Sequence, residues 1–403
     1  MKFKDGFKLS IVIPVFNAEK RINKCLTSIF SLKKKIDLNR YIEVIIINDN
    51  STDKSNIILK NWQKKIKNLK IIKNKKNRGV SFSRNKGLNC SSGKYVFFID
   101  ADDYIITNNF FRFFKIIDSK DFKDVFIFHN IIEGKNFLEN PKINKIYNKK
   151  FSECLFNTNS KLTNYNIWRC IIKRDFLIKN KIYFENLNQF EDWVFIAKLI
   201  SHKPSFLEIK KYLYSYNYSI DNSLTKQTHK KNIYNSIFAY NSIKEIRKKN
   251  INEKKIINKM LSLLKRILFA DLFLIKNTKL INFKKKYPFL SKMINQNIRY
   301  RELIYKADKN IMIFCAGRIG RNLTSLIPKS KLCKFIIDNN RALFNKNINI
   351  CKIKDFSFFS KNIQKFLECK IIIANFEKKD VFKIQKNIIK SGIRKHNILL
   401  MPY

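Results

Sequence analysis

Four short apolar runs, each ending in a polar cluster, constrain this chain more than any other feature. Leu9–Val15, Tyr41–Ile47, Leu69–Ile72 and Lys94–Ile99 read as strands buried on both faces. Helical stretches separate them. Ile22, Cys25, Leu26 and Ile29 share one helical face, and Ile57–Trp62 and Ser81–Asn89 have the same character. Strand and helix in alternation predict a mostly parallel sheet covered on both sides, an α/β architecture. In such sheets ligands bind outside the carboxyl ends of the strands. The polar clusters stand at those ends: Asn17 and Glu19 after the first run, Asp49 after the second, Asp100 and Asp102 after the fourth.

Charge points elsewhere at first. The 403 residues include 83 Lys and Arg against 31 Asp and Glu, a formal net charge of +52. A nucleic-acid-binding protein is one alternative that this leaves open. However, the excess is mostly Lys, accompanied by much Asn and Ile, as in AT-rich coding sequences, while Arg, which reads phosphate and base edges best, is scarce. No nucleic-acid-binding motif is evident, and no nucleic-acid partner is expected. Hydrophobic residues are 45% of the chain, which excludes a disordered basic tail. Met1–Asp5 leads straight into a strand, so no signal peptide is expected, and no apolar stretch is long enough to span a membrane. The 8 cysteines are scattered and read as buried thiols of a reducing compartment. The expected location is cytoplasmic, with peripheral attachment at the inner face of the cell membrane as an option.

The carboxylates of Asp100-Ala101-Asp102 lie two positions apart at a strand end. Such a pair can share a divalent cation with a ribose or diphosphate, and Mg²⁺ or Mn²⁺ prefers these hard oxygen ligands. A solvated acidic turn is the plain alternative.

Four blocks then carry a family resemblance. Leu9-Ser10-Ile11-Val12-Ile13-Pro14-Val15-Phe16-Asn17-Ala18-Glu19, Val44–Asp53, Asn77–Leu88 and Phe97–Asp103 resemble, in order, the motifs of family 2 glycosyltransferases. Two positions depart from the usual pattern: Asn50 replaces a Gly, and Ser83 replaces an Ala. The resemblance implies a GT-A nucleotide-sugar-binding domain, a nucleotide-sugar donor (commonly a UDP-sugar) and Mn²⁺ or Mg²⁺. By position, Asp49 corresponds to the partner of the nucleobase, Asp100 to the residue near ribose and diphosphate, and Asp102 to the metal ligand. Pro14, Val15, Glu19, Arg84 and Ala101 line the nucleotide side, Arg84 either approaching the nucleotide or bracing the loop. Inverting transfer needs a carboxylate to take the acceptor's proton. In Gln189–Phe195, Asp192 matches the family's base and Glu191 its neighbour, both near a helix N-terminus. Trp193 is an acceptor-stacking candidate or a core aromatic. Asn166–Arg174 reads as a core strand without catalytic role, and Tyr214–Thr225 resembles the family's closing loop, with Asn217 and Tyr218 where Arg or His is usual.

The expected division is residues 1–225 catalytic, 226–309 a basic helical connector and 310–403 a small Rossmann-like α/β domain. In the connector, Ile233, Ile237, Tyr240 and Ile243 form one stripe, and Ile256, Met260, Leu263, Leu264, Ile267 and Leu268 another. Such stripes pack against neighbours, although a basic amphipathic helix can also lie on an anionic membrane surface. In the last part, Ile311–Phe314, Gly317, Gly320 and Asp338 follow the layout of a dinucleotide-binding unit, with Cys315 at the first glycine position. It resembles Rossmann-like domains appended to bacterial sugar-modifying enzymes. A dinucleotide-dependent enzyme is thus a further alternative. The leading expectation is a hexosyl- or N-acetylhexosaminyltransferase acting on a glycan or lipid-linked acceptor of the bacterial surface, such as lipooligosaccharide or capsule.

Overall fold

The computed structural model describes residues 8–66, 69–117, 123–133, 151, 165–217, 232–249, 254–306, 310–315, 318–324, 326–327, 330, 332–338, 347–348, 351–374 and 378–400. The chain forms two compact units, Met1–Gln227 with Phe238–Met260, and Thr228–Ile237 with Leu261–Tyr403.

The first unit holds an eight-stranded sheet. Its strands are β1 (Leu9–Val15), β2 (Ile42–Asn48), β3 (Leu69–Lys73), β4 (Tyr95–Phe98), β5 (Tyr104–Ile105), β6 (Val125–Glu133), β7 (Cys170–Lys173) and β8 (Phe206–Asn217), in the order β3-β2-β1-β4-β7-β6-β8-β5. The half formed by β3, β2, β1 and β4 is parallel, as the alternation of strands and helices predicts. The other half is mixed: β7 runs antiparallel to both β4 and β6, β6 parallel to β8, and β5 antiparallel to β8. β1 is central, which explains its continuous apolar run: Leu9, Ile11, Val12 and Ile13 are fully buried.

Pro14 sits in this central strand without breaking the ladder. The Val15 carbonyl accepts from Asp49 on the β2 side, and the Val12 carbonyl accepts from Ile99 on the β4 side. Backbone groups alternate along the strand, so the missing N–H of Pro14 faces the β4 side. Pairing with β4 ends at Val12, and no ladder bond is lost. The helix Val80–Cys90 lies tight against β1 at Gly87, where a Cβ would stand 2.2 Å from Val12 Cγ1.

Glu43, on β2, is buried and organises the end of the sheet away from the crevice. Its carboxylate accepts from Ser10 Oγ (2.6 Å), Lys70 Nζ (2.9 Å), Ser92 N (2.5 Å) and Gly93 N (3.0 Å). Burial pushes its pKa up, but the hydrogen bonds from Ser10, Lys70 and Ser92 outweigh this and hold it below 4.5. A depressed carboxylate stabilises the fold above its unfolded pKa, and that stability is lost as pH falls through the folded value. Glu43→Gln is expected to cost about 1–3 kcal/mol at neutral pH. Its deficit should shrink below about pH 4.5, which urea titrations at pH 4 and pH 7 would read. An equal deficit at both pH values would refute this account.

In the second unit the sheet has six strands: β9 (Ile311–Phe314), β10 (Leu332–Ile337), β11 (Asn347–Ile348), β12 (Cys351–Lys354), β13 (Lys370–Ile373) and β14 (Ile398–Leu400), ordered β11-β12-β10-β9-β13-β14. All pairs are parallel except β11 with β12. At the end of β9, Cys315 takes φ +79°, so a cysteine occupies the glycine-like conformation of this turn. Gly320 closes over it: a Cβ there would meet the Cys315 carbonyl oxygen at 2.1 Å. Gly317 lies outside the described residues.

The stripe Ile233, Ile237, Tyr240 and Ile243 is buried, as its spacing predicts. The next stripe needs correction by part of a turn. In the helix Lys254–Leu272, Ile257, Met260, Leu261, Leu264 and Leu268 are buried, as is its last turn from Phe269 to Leu272, while Ile256, Leu263 and Ile267 are half-buried. Arg301, 2% exposed, donates to the carbonyls of Leu272 (2.8 Å) and Ile275 (2.7 Å), satisfying the C-terminal end of that helix. The seven described cysteines are free thiols, but Cys90, Cys315 and Cys333 are half-buried rather than buried. Among the described residues no helix is long and apolar enough to cross a membrane.

Candidate active site

The crevice is built at the carboxyl ends of β1, β2 and β4. Two loops are fastened to each other first. Asn17 and Asn50 both take positive φ, +49° and +61°, which Asn tolerates better than most residues. Asn50 thus supplies the turn for which the family motif has Gly. Asn17 Oδ1 accepts from Thr52 N (2.9 Å), Asp53 Oδ2 accepts from Glu19 N (3.0 Å) and Glu19 Oε2 accepts from Lys54 N (2.9 Å). The Glu19 carboxylate therefore braces the loop. Pro14 is half-buried and Val15 buried beneath this loop, while Phe16, 48% exposed, presents its ring at the end of β1. Phe16 escaped the sequence reading, although an aromatic directly after a buried strand was the available signal.

Asp49 is 3% exposed, and its carboxylate accepts from Asn74 Nδ2 (2.7 Å), Arg78 N (2.9 Å) and Gly79 N (2.7 Å). Gly79, at φ +86°, is the N-cap of the helix that carries Arg84. Asp49 thus fixes the start of that helix, with about one acceptor position left for another group. Asn74 was also missed: it donates to Asp49 and to Ser83 Oγ, and accepts from Lys86 Nζ (2.9 Å).

Arg84 is the hub. Its side chain is 3% exposed, yet it reaches three carboxylates from distant parts of the sequence: Asp100 Oδ1 at 2.7 Å, Glu191 Oε1 at 2.9 Å and Asp192 Oδ1 at 3.1 Å. The guanidinium also lies over the Phe184 ring, 5.2 Å from its centroid. Burial lowers its pKa, but the three carboxylates more than reverse this, so it stays charged.

Glu191 and Asp192 open the helix Glu191–Ser201, where the N-terminal dipole favours them. Its N-cap, Phe190, holds φ +67°, a left-handed conformation that costs a non-glycine residue roughly 1–2 kcal/mol. Asp192 Oδ2 accepts from the Ile167 N–H at 3.2 Å. The segment Asn166–Arg174 is therefore more than the core strand expected of it: a short 3₁₀ turn, Ile167–Arg169, precedes β7 and orients Asp192. Burial, Glu191 and Asp100 raise the Asp192 pKa against the opposing pull of Arg84. A carboxylate raised in this way is a stronger base than a solvated one. Trp193 is 8% exposed, with its ring against Tyr165 (4.5 Å) and Phe190 (5.6 Å).

Asp102 stands outside the set held by Arg84. Burial and then the charge of Asp100 raise its pKa to about 6, with Arg21 and Arg84 opposing. Asp100 and Asp102 are a hard-oxygen pair whose mutual repulsion a cation would relieve, so these residues fit Mg²⁺ or Mn²⁺. Among the described residues no group of three or more His, Cys, Asp or Glu side chains could hold a metal ion. Two protein carboxylates suit an ion that takes its other ligands from water and substrate phosphates. Ala101 is 9% exposed between them.

The turn itself is anchored from β8. Tyr214 OH donates to Asp103 Oδ2 (2.5 Å) and accepts from Asp100 N (3.2 Å), and Asn217 N donates to Asp103 Oδ1 (2.8 Å). Trp168 stacks on Tyr214 at 4.7 Å and on Tyr216 at 5.4 Å. Tyr214–Asn217, expected in a closing loop, thus ends a strand that pins the acidic turn, and residues 218–225 lie outside the described residues.

Residues 10–180 match Glycosyl transferase family 2. The chain is 30% identical over 234 residues to the minor teichoic acid biosynthesis protein GgaB of Bacillus subtilis, covering 56% of this chain and 25% of the relative. It is 37% identical over 108 residues to the poly(ribitol-phosphate) beta-glucosyltransferase of Bacillus spizizenii, covering 27% of this chain and 17% of the relative. The chain thus spans a quarter or less of the length of these relatives. S. aureus TarS 1–349 in complex with UDP-GlcNAc has a similar fold, with TM-score 0.50 and 19% identity, covering 80% of this chain and 84% of that one. Residues 10–180 thus make up a family 2 glycosyltransferase domain, and the first unit that contains it has the GT-A fold.

Proposed function

We propose that the chain is an inverting glycosyltransferase. It transfers a hexose or N-acetylhexosamine from a UDP-sugar to a hydroxyl of a bacterial surface glycan, either free or lipid-linked, at an anionic membrane face. The single observation that carries this reading is the convergence of Asp100, Glu191 and Asp192 on buried Arg84 at the carboxyl ends of the strands. In this reading Asp100 is the diphosphate-side carboxylate and Asp192 the base, and their shared contact with Arg84 supports a single site. The family match supports the reaction class. Similarity to a teichoic acid biosynthesis protein and to a poly(ribitol-phosphate) glucosyltransferase favours a polyol-phosphate or related wall glycan over lipooligosaccharide or capsule.

In this reading Asp192 accepts the proton as the acceptor oxygen bonds to the anomeric carbon and the bond to the diphosphate breaks. Glu191 borders the acceptor, and Asp49, with Phe16, borders the nucleobase. Asp100 and Asp102 hold the divalent ion, which when bound neutralises charge developing on the leaving diphosphate. A panel of UDP-sugars with Mn²⁺ or Mg²⁺ tests this, with UDP release measured with and without glycan acceptors. Release should be abolished by EDTA and restored by the metal. Asp102→Asn should raise the metal concentration for half-maximal rate by about 10-fold or more. Absence of UDP binding and of release in every combination would overturn the reading.

A further inference from the structure

Within the second unit, the helix Asn277–Lys286 and the turn after it leave apolar side chains in solvent beside a cluster of lysines. Leu280 and Phe283 face inward and are buried. On the opposite face Ile281 is 59% exposed, and at the end of the following turn Phe289 is 38% exposed. Tyr234, 50% exposed, is connected to Phe289 by a run of ring contacts: Tyr234 with Phe283 at 5.6 Å, Phe283 with Tyr287, and Tyr287 with Phe289. Lys286 lies over the rings of Tyr234 and Tyr287. Lys279, Lys284 and Lys285 are exposed on the same helix. From Leu272 to Arg301 the sequence has no acidic residue, while Lys276, Lys279, Lys284, Lys285, Lys286, Lys292, Arg299 and Arg301 are all basic. The overall charge is spread along the chain, but here it coincides with exposed apolar groups in a stretch without acidic residues.

We propose that this patch docks the protein on an anionic phospholipid surface. Ile281 and Phe289 enter the boundary between headgroups and acyl chains, and Lys284 and Lys285, one turn from Ile281 on the same face, meet the lipid phosphates. Lysine stems suit that position, because their alkyl parts lie along apolar surface while the ammonium groups stay wet. The combination of insertable apolar side chains and a basic rim distinguishes a bilayer from a nucleic acid, which would use the charges and leave Ile281 in water. The inference deepens the membrane-face setting proposed above and can fail separately, since vesicle binding needs neither donor nor acceptor and UDP release needs no vesicle.

The test is co-sedimentation of the full chain with phosphatidylcholine vesicles, with and without phosphatidylglycerol. Binding should require phosphatidylglycerol. Lys284→Glu with Lys285→Glu should weaken it roughly tenfold or more. Ile281→Asp should weaken it several-fold, and its solvent exposure makes a folding defect unexpected; circular dichroism checks this. Lys33→Glu with Lys34→Glu, an equal charge change on exposed lysines of the first unit, should change binding less than twofold. Equal losses in the two double variants, wild-type binding by Ile281→Asp, or absence of binding to phosphatidylglycerol vesicles would overturn the proposal.

Discussion

Asp192→Asn is expected to lower turnover by about 10²- to 10⁴-fold while leaving the affinity for UDP within about twofold. The substitution keeps the shape of the side chain and one acceptor oxygen, so either the Arg84 contact or the Ile167 N–H contact survives. It removes the basic lone pair that would take the acceptor's proton. The wild-type pH profile should show the same group. Burial, together with Glu191 and Asp100, holds the Asp192 pKa above its ordinary 3.8. The rate should therefore rise with pH through an apparent pKa well above that value, and the limb should be lost in Asp192→Asn. Glu191→Gln is the control, since Glu191 touches the same guanidinium at 2.9 Å but does not receive the Ile167 N–H. If Glu191→Gln lost the limb and Asp192→Asn kept it, the base would be Glu191. Wild-type turnover by Asp192→Asn would end the assignment.

The sequence made the parallel half of the sheet legible because it follows local rules. β1, β2, β3 and β4 are short apolar runs with acceptor-rich turns at their ends, and both are visible residue by residue. The mixed half was less legible. β6, β7 and β8 pair across intervals of tens of residues, and no local pattern states that β7 runs antiparallel to β4. The site shows the same contrast. The acidic residues stood out because negative charge is rare in this chain, but their partners did not. Ile167 contributes only a backbone N–H, Tyr214 reads as an ordinary strand aromatic, and Asn74 is one of many asparagines. The helical stripe from Ile256 to Leu268 was misread by part of a turn because several apolar residues flank the true face, and only the packing selects among them. Arg84 was visible as a residue of the third motif, but the motif does not reveal that it contacts three carboxylates.

Those contacts set the second large expected effect. Removing Arg84 leaves Asp100, Glu191 and Asp192 facing one another with side chains 29%, 13% and 14% exposed. Breaking a buried ion pair from one side typically costs about 3–5 kcal/mol, because the remaining charge is neither solvated nor paired. Arg84→Ala should lose stability of that order in urea at pH 7.5. The deficit should be smaller near pH 5.5: without the guanidinium that opposes it, the folded-state pKa of Asp192 rises further above its unfolded value, so protonation favours the folded variant as pH falls. Asp192→Asn removes one of the uncompensated charges. Arg84→Ala with Asp192→Asn should therefore be more stable than the sum of the single variants by about 0.5–3 kcal/mol. Kinetics separates the two roles open to Arg84. If it orients Asp192, Arg84→Lys lowers kcat and leaves the KM for the donor nearly unchanged, since a lysine keeps the charge but cannot fork between carboxylates. If it contacts the nucleotide, the KM for the donor rises while kcat is spared. Near-complete burial and three protein carboxylates at hydrogen-bond distance favour the first outcome. A loss below about 1 kcal/mol in Arg84→Ala, with kcat unchanged in Arg84→Lys, would show that the cluster neither holds the site together nor aligns its base.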